Sequence, residues 1–291
     1  MEVVNKRLIH MNHCRGVGWK TIHSFYEHDP TFAKVYQLSP TELITKFSMK
    51  RTHAELFYLD LHNLNIDKII QKLNFHQITP ITRFNPLYPP LLLNIFDPPW
   101  ILYCKGDLNF LSTQKTLAVV GTRNPSSNGL HSIDKLLPSI ILNQWTIVSG
   151  LAEGIDTKAH ELTIDLGGQT VAVLGSGLFH IYPKKNVYLA KRMEKYHLLI
   201  SEYPPHQKPQ RWQFPARNRI ISGMSRAILV VEAKAKSGAL ITADQGLEQG
   251  REIFAVPGSI LEERAEGTNQ LIQNGAKLIQ NASDILSELT Y

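Results

Sequence analysis

Short β-branched runs alternate with helix-length segments from Lys115 to the C-terminus, which predicts an α/β protein with a doubly wound, mostly parallel sheet. Glycine and small polar residues close each run, as in TLAVVGTR (116–123), TIVSGLAEGID (146–156), TVAVLGSG (170–177) and VVEAKAKSGAL (230–240). None spells GxGxxG, and the second strand ends in Ser149-Gly150 rather than in an acid for a ribose. The turns of a parallel sheet share one edge, where helix N-termini are expected to offer unpaired N–H groups to a row of phosphates.

Taken in order, the first 78 residues read as a small all-α unit, with turn signals at Asp29-Pro30 and Ser39-Pro40. Within it RGVGWKTIHSF (15–25) sets a GxG turn before apolar spacing at Trp19, Ile22 and Phe25, a pattern similar to helix-hairpin-helix or SAM-like domains. That turn reads equally as structural or as a DNA-phosphate contact. His10, His13, Cys14 and His23 match no common metal spacing and are read as scattered surface residues, so no metal is expected. The second domain is taken as 79–291. It opens with a lead-in (79–108) whose prolines forbid a long helix and whose apolar residues demand burial on the sheet. Strands follow near 116–121, 146–149, 170–174, 198–202, 227–232, 252–256 and 277–279.

At 291 residues, 43% hydrophobic and 19% charged, the chain is long enough for two compact domains or one large one. Its two cysteines form no CxxC pair, no secretory leader opens it, and no apolar stretch spans a bilayer, so a cytoplasmic protein away from the membrane is expected. The net charge of +6 is unevenly spread. Residues 170–240 hold twelve Lys and Arg against three acids, while 241–291 hold three against eight. A basic segment of this kind fits a nucleic-acid face, or else ordinary solvated helices.

Arg123, at the first turn, is a forked phosphate donor. Trp212 and Phe214 are either base-stacking platforms or core. Asp156 and His160, four apart on one helix, read as a structural pair because no exposed nucleophile accompanies them. No catalytic residues and no cofactor are expected.

The ordered series GTRNPSSNG (121–129), VSGLAEGIDTKAH (148–160), AVLGSG (172–177), YPKKN (182–186), ISEYPP (200–205), FPARNRIISG (214–223), VVEAKAKSGALITA (230–243), GREIFAVPGS (250–259) and GTNQLIQNGAKL (267–278) resembles the DNA-processing protein A (DprA, or Smf) family. The resemblance implies an extended Rossmann-like domain after a SAM-like one. It also implies single-stranded DNA binding, protection of incoming DNA, loading of the RecA recombinase in natural transformation, and a homodimer. The family's GSR matches Gly121, Thr122 and Arg123, with Thr for Ser. Its basic residue after YP matches Lys184, and the one before FPARNR matches Arg211. Arg217, Asn218 and Arg219 match its RNR, and Ser149, Gly150, Lys234, Ser237 and Gly238 complete the implied DNA site. Glu153 stands where members often carry a base and is left out. After Leu289 no residues are expected to form the C-terminal winged helix of some members. The acidic terminus carrying Ile279, Ile285, Leu286 and Leu289 is read as a dimer surface. The competing class is a Rossmann-like nucleotide phosphoribohydrolase of the LOG group, whose PGG-type loop Pro257-Gly258-Ser259 imitates in part.

Lys, Arg and backbone N–H groups neutralise phosphates without reading bases, so binding is expected to ignore sequence. A groove along the sheet edge favours a flexible single strand over a rigid duplex.

Overall fold

The computed structural model describes residues 2–289; the expected ends of the chain at Met1, Thr290 and Tyr291 lie outside that range. The chain divides into two compact units, Met1–Tyr88 with Pro99–Cys104, and Pro89–Pro98 with Lys105–Tyr291. The boundary differs from a single break after residue 78, because the lead-in is shared out: residues 89–98 go with the second unit and 99–104 with the first.

The first unit contains α1 (Glu2–His13), α2 (Trp19–His28), α3 (Pro40–Phe47), α4 (Arg51–Asn63) and α5 (Ile66–Phe75), then β1 (Thr79–Thr82). Ser39-Pro40 turns out to start α3: Ser39 and Glu42 form a capping box and Pro40 occupies the first turn. The GxG turn joins α1 to α2 through Gly16 at φ +77, while Arg15 forks onto Asp60 at 2.8 and 2.7 Å. His10 is buried rather than on the surface. Its ring nitrogens meet Tyr36 Oη and the Leu64 carbonyl, both at 2.9 Å, and no metal-ligating group is found among the described residues. β1 pairs antiparallel with the next strand, from Thr79 opposite Cys104 to Thr82 opposite Ile101. On that strand Tyr103 donates to Asn12 at 2.8 Å, and Trp100 just before it donates to the Trp19 carbonyl at 3.2 Å. These contacts explain why 99–104 joins the helical unit.

The strand that pairs with β1 is β2 (Ile101–Gly106); the second unit holds α6 (Pro90–Leu93) and then β3 (Thr116–Val120), α7 (Ser127–Leu142), β4 (Thr146–Ser149), α8 (Ile155–Asp165), β5 (Thr170–Leu174), α9 (Val187–Tyr196), β6 (Leu198–Ser201) and α10 (Gln213–Gly223). It ends with β7 (Ala227–Val230), α11 (Gly238–Glu248), β8 (Glu252–Ala255), α12 (Glu266–Gln273), β9 (Lys277–Leu278) and α13 (Ala282–Leu286). Its strands are all parallel, in the order β6-β5-β4-β3-β7-β8-β9. β3, β4, β5, β6 and β7 are buried along their whole length, as sheets covered on both faces require.

Strand residues alternate between the faces. Leu117, Val119, Ala227 and Leu229 pack with Ile133, Leu137, Ile155 and Ala159 of α7 and α8, whereas Ile228 faces the other way, against α11 at Gly246. Ile279, Ile285 and Leu289 belong to the first of these cores, with Leu286 packed on it. They are therefore not a dimer surface: α13 uses its apolar face to close its own subunit over α7.

Candidate nucleic-acid interface

β3 is where the sheet reverses. β4, β5 and β6 lie to one side of it and β7, β8 and β9 to the other. Loops leaving β3 and β7 diverge there, which opens a crevice at the carboxyl ends of the strands. A cleft of about 700 Å³ occupies this place. Its walls are the turn after β3 (121–124), the loop from Lys234 into α11, and Arg211 with the first half of α10. A smaller cavity of about 140 Å³ adjoins it and shares Arg123, Ala152, Tyr182, Phe214 and Arg217.

The turn after β3 is held from three directions. The Thr122 N–H donates to the Glu232 carbonyl at 2.7 Å, and the Thr122 carbonyl accepts from the Ile155 N–H at 3.2 Å. Arg264 Nε donates to the Asn124 carbonyl at 2.8 Å. Gly154, at φ +80, lets the second loop approach so closely that a Cβ there would strike the Thr122 carbonyl. Arg123 is thereby left exposed on a fixed turn at the mouth of the cleft.

At one helix end and one loop expected to face phosphates, N–H groups are instead satisfied within the protein. At α7 the backbone N–H of Ser126 donates to the Glu232 carboxylate at 2.9 Å and its hydroxyl donates to the other carboxylate oxygen. At the loop into α8, Asp156 accepts the N–H groups of Gly150 and Ala152 at 3.0 and 3.4 Å. The α11 end differs. Ser237 makes no side-chain cap, its Oγ has no partner, and nothing lies within 4 Å of the position a Cβ on Gly238 would take.

Arg217 forms the floor. It is 5% exposed, and its Nη1 donates to the carbonyls of Gly150, at 2.5 Å, and Val173. Burial lowers its pKa to about 10, with Asp156 pulling the other way, so it stays cationic at neutral pH. Burial likewise pushes the Asp156 carboxyl up, opposed by Arg217 and the loop N–H groups. Asp156 and His160 are both buried but serve different neighbours: His160 Nδ1 lies 2.7 Å from Thr170 Oγ1.

Of the sequence-derived candidates, Gly121, Thr122, Arg123, Arg211, Arg217, Asn218, Lys234, Ser237 and Gly238 line the cleft and Gly150 lines the smaller cavity. Three others fall elsewhere. Ser149 is buried and donates to the Val119 carbonyl at 2.6 Å. Arg219 is 9% exposed and holds Asp97 at 2.9 Å and Glu202 at 2.7 Å, so its fork is spent inside the subunit. Lys184 stands exposed on a 3-10 turn just beyond Tyr182 and Pro183, outside both cavities. Lys234 is exposed yet bound to Glu263 at 2.6 Å, and Glu153 is held by Lys185 at 2.8 Å. Neither aromatic is core: Trp212 is 63% exposed, and Phe214, 5.4 Å from Tyr182, lines both cavities. Lys236 and Tyr182 also line the cleft; both lie inside the quoted motifs, VVEAKAKSGALITA and YPKKN, but are not among the site residues expected from them.

A second concavity of about 380 Å³ lies across the Glu232 loop, walled in part by Ser126, Gly129 and 257–259. The Glu232 carboxylate sits where a phosphate would meet the α7 N-terminus, and a Cβ on Gly129 would abut it at 2.5 Å. Beside the partial PGG imitation, the α7 end thus already holds the chain's own carboxylate.

The class so defined is a Rossmann-like domain with a cationic, aromatic-edged cleft at its switch point. Residues 79–290 match the model of the DNA recombination-mediator protein A family, and the chain belongs to that family. It is similar to DNA processing protein DprA of Bacillus subtilis, with 52% identity over 202 residues, 69% of this chain and 68% of that one. The Streptococcus pneumoniae protein of the same name is 42% identical over 234 residues, 80% of each chain. Among solved structures, DNA processing protein A from Streptococcus pneumoniae superposes with a TM-score of 0.84 at 37% identity, covering 99% of both chains. The Helicobacter pylori protein, described for its single-stranded DNA binding mode, gives 0.67 at 28% identity over 74% of this chain and 96% of that one. No helix among the described residues is long and apolar enough to cross a membrane.

Proposed function

We propose that this chain binds single-stranded DNA of any sequence in the switch-point cleft, protects incoming DNA and delivers it to the RecA recombinase in natural transformation. It does so in the cytoplasm as a homodimer, without catalysis or cofactor. The observation that carries the reading is the cleft itself, where exposed Arg123, Arg211, Lys234 and Lys236 surround the open N-terminus of α11 over the buried Arg217. Such groups grip phosphates and read no base edges. The single-strand specificity draws further support from the Helicobacter pylori relative.

The test is fluorescence anisotropy with mixed-sequence single-stranded and duplex DNA over a salt series. Single strands are expected to bind more tightly, with a log–log salt slope of about −0.7 per neutralised phosphate. Equal affinity for duplex, or binding indifferent to salt, would remove the cleft model. Release of free base from nucleoside monophosphates would favour a phosphoribohydrolase instead. Light scattering at micromolar concentration tests the dimer.

A further inference from the structure

α9 begins three residues past the cleft. Tyr182 and Pro183 line the smaller cavity, the 3-10 turn Lys184–Asn186 follows, and α9 then runs for 10 residues. Its inner side is ordinary core, with Leu189, Ala190 and Met193 buried against the sheet. Its outer side is not an ordinary solvated face. Tyr188 is 75% and Tyr196 62% exposed, and Lys184, Lys191 and Lys195 are exposed among them.

Tyr188, Lys191 and Lys195 are spaced i, i+3 and i+7, which puts them on one stripe. The neighbouring charges are already engaged: Lys185 with Glu153, Arg192 with Asp165 and Glu194 with Lys105. No acid pairs with Lys184, Lys191 or Lys195 among the described residues, and Lys195 Nζ lies 4.8 Å from the centre of the Tyr196 ring.

We propose that this face of α9 is a second DNA tract, along which a single strand leaving the cleft continues, with its phosphates on Lys184, Lys191 and Lys195 and a base stacked on Tyr188. The inference rests on the cleft being a single-strand site and extends it. Interleaved cations and exposed aromatics suit an unpaired strand, because a duplex keeps its base faces covered. A membrane surface could also attract lysines and tyrosines. The strand is favoured because the stripe starts at the rim of the cleft, so a bound polyanion is already delivered to its first lysine. At about 1.5 Å per residue, α9 adds roughly 15 Å of path.

The experiment compares oligonucleotides of about 6 and about 20 nucleotides on the full chain, lengths that bracket typical single-strand site sizes. The variants are Arg123→Ala, Tyr188→Ala/Lys191→Ala/Lys195→Ala, and Tyr188→Phe. The triple variant is expected to weaken the long strand by about tenfold and to reduce its salt slope by roughly 1.4, the share of two lysines on a single strand. Its affinity for the short strand should stay within about twofold of the parent. Tyr188→Phe should bind like the parent, since phenylalanine still stacks. Arg123→Ala should weaken both lengths, and if it weakens neither, the cleft reading fails on its own. The tract is overturned if the triple variant keeps the full gain on the long strand, or loses equally on both lengths. It is also overturned if the triple variant loses binding to phosphatidylserine vesicles while DNA binding is unchanged.

Discussion

Arg217 Nη1 lies 2.5 Å from the Gly150 carbonyl, and a Cβ on that glycine would overlap the guanidinium. The pair ties the second loop of the sheet to the floor of the cleft, so one methyl group tests both stability and binding. Gly150→Ala must displace the buried cation. The expected cost is about 1–3 kcal/mol, the range for overpacking, read as a lower urea midpoint and accompanied by weaker single-strand binding. A variant with the parent's midpoint and affinity would show that the floor tolerates movement.

Arg219, paired inside the protein, should part company from the exposed Arg123. Arg219→Ala leaves Glu202 and Asp97 without their shared cation, and a broken buried pair costs about 3–5 kcal/mol. Arg123→Ala should leave the unfolding midpoint within error while weakening DNA binding on every sequence alike and lowering the salt slope by about 0.7. Thermal unfolding beside anisotropy separates the two outcomes.

Glu263 gives a prediction of the opposite sign. Its carboxylate, held below the usual range mainly by the Lys234 contact, neutralises a lysine at the cleft. Glu263→Gln is expected to strengthen single-strand binding by about twofold at low salt, an advantage that fades as salt rises. A loss of affinity would mean that Glu263 positions Lys234 usefully rather than competing with DNA.

His160 sets a pH dependence. The Thr170 hydroxyl donates to the Ile147 carbonyl, so it accepts from His160 Nδ1, and the opposite ring nitrogen is left without a partner. Burial depresses its pKa to about 3. An imidazole held neutral in the native state stabilises fully above its unfolded pKa near 6.5 and progressively less below it, as the unfolded chain takes up the proton. Between pH 6.5 and 5 the loss should reach about 1.6 kcal/mol. Urea midpoints of the parent and of His160→Gln, taken at both pH values, check this, since the variant should show a shallower fall.

The strands from Thr116 onward were legible because a parallel sheet buried on both faces demands continuous apolar runs, and each ends at a small residue. β1 and β2 were not. Their pairing joins segments divided by a proline-rich stretch, and β1 itself holds Pro80, so neither run announces a strand. Motif order located the lining residues from Gly121 to Gly238, yet it could not separate Arg219 from Arg217. The difference lies in Asp97, 122 residues away, and Glu202. Apolar spacing in Ile279, Ile285 and Leu289 shows only that a face wants cover, and here α7 provides it. The occupied N–H donors were hidden for a similar reason: the donors were predictable, while Glu232 reaches the α7 end from a loop 106 residues away and Asp156 turns back from α8 onto the loop that precedes it.

Glu232 divides the switch point into two unequal halves. A mobile mononucleotide entering on the α7 side would have to evict a tethered carboxylate that is always present at its own effective concentration, whereas the α11 side has no such resident. If the cleft is the strand site proposed above, free nucleotides would meet a resident carboxylate in one half. In the other half a single phosphate gains little where a linked series engages several cations together. On that reading, discrimination between polymer and monomer would follow from which helix end carries its own plug.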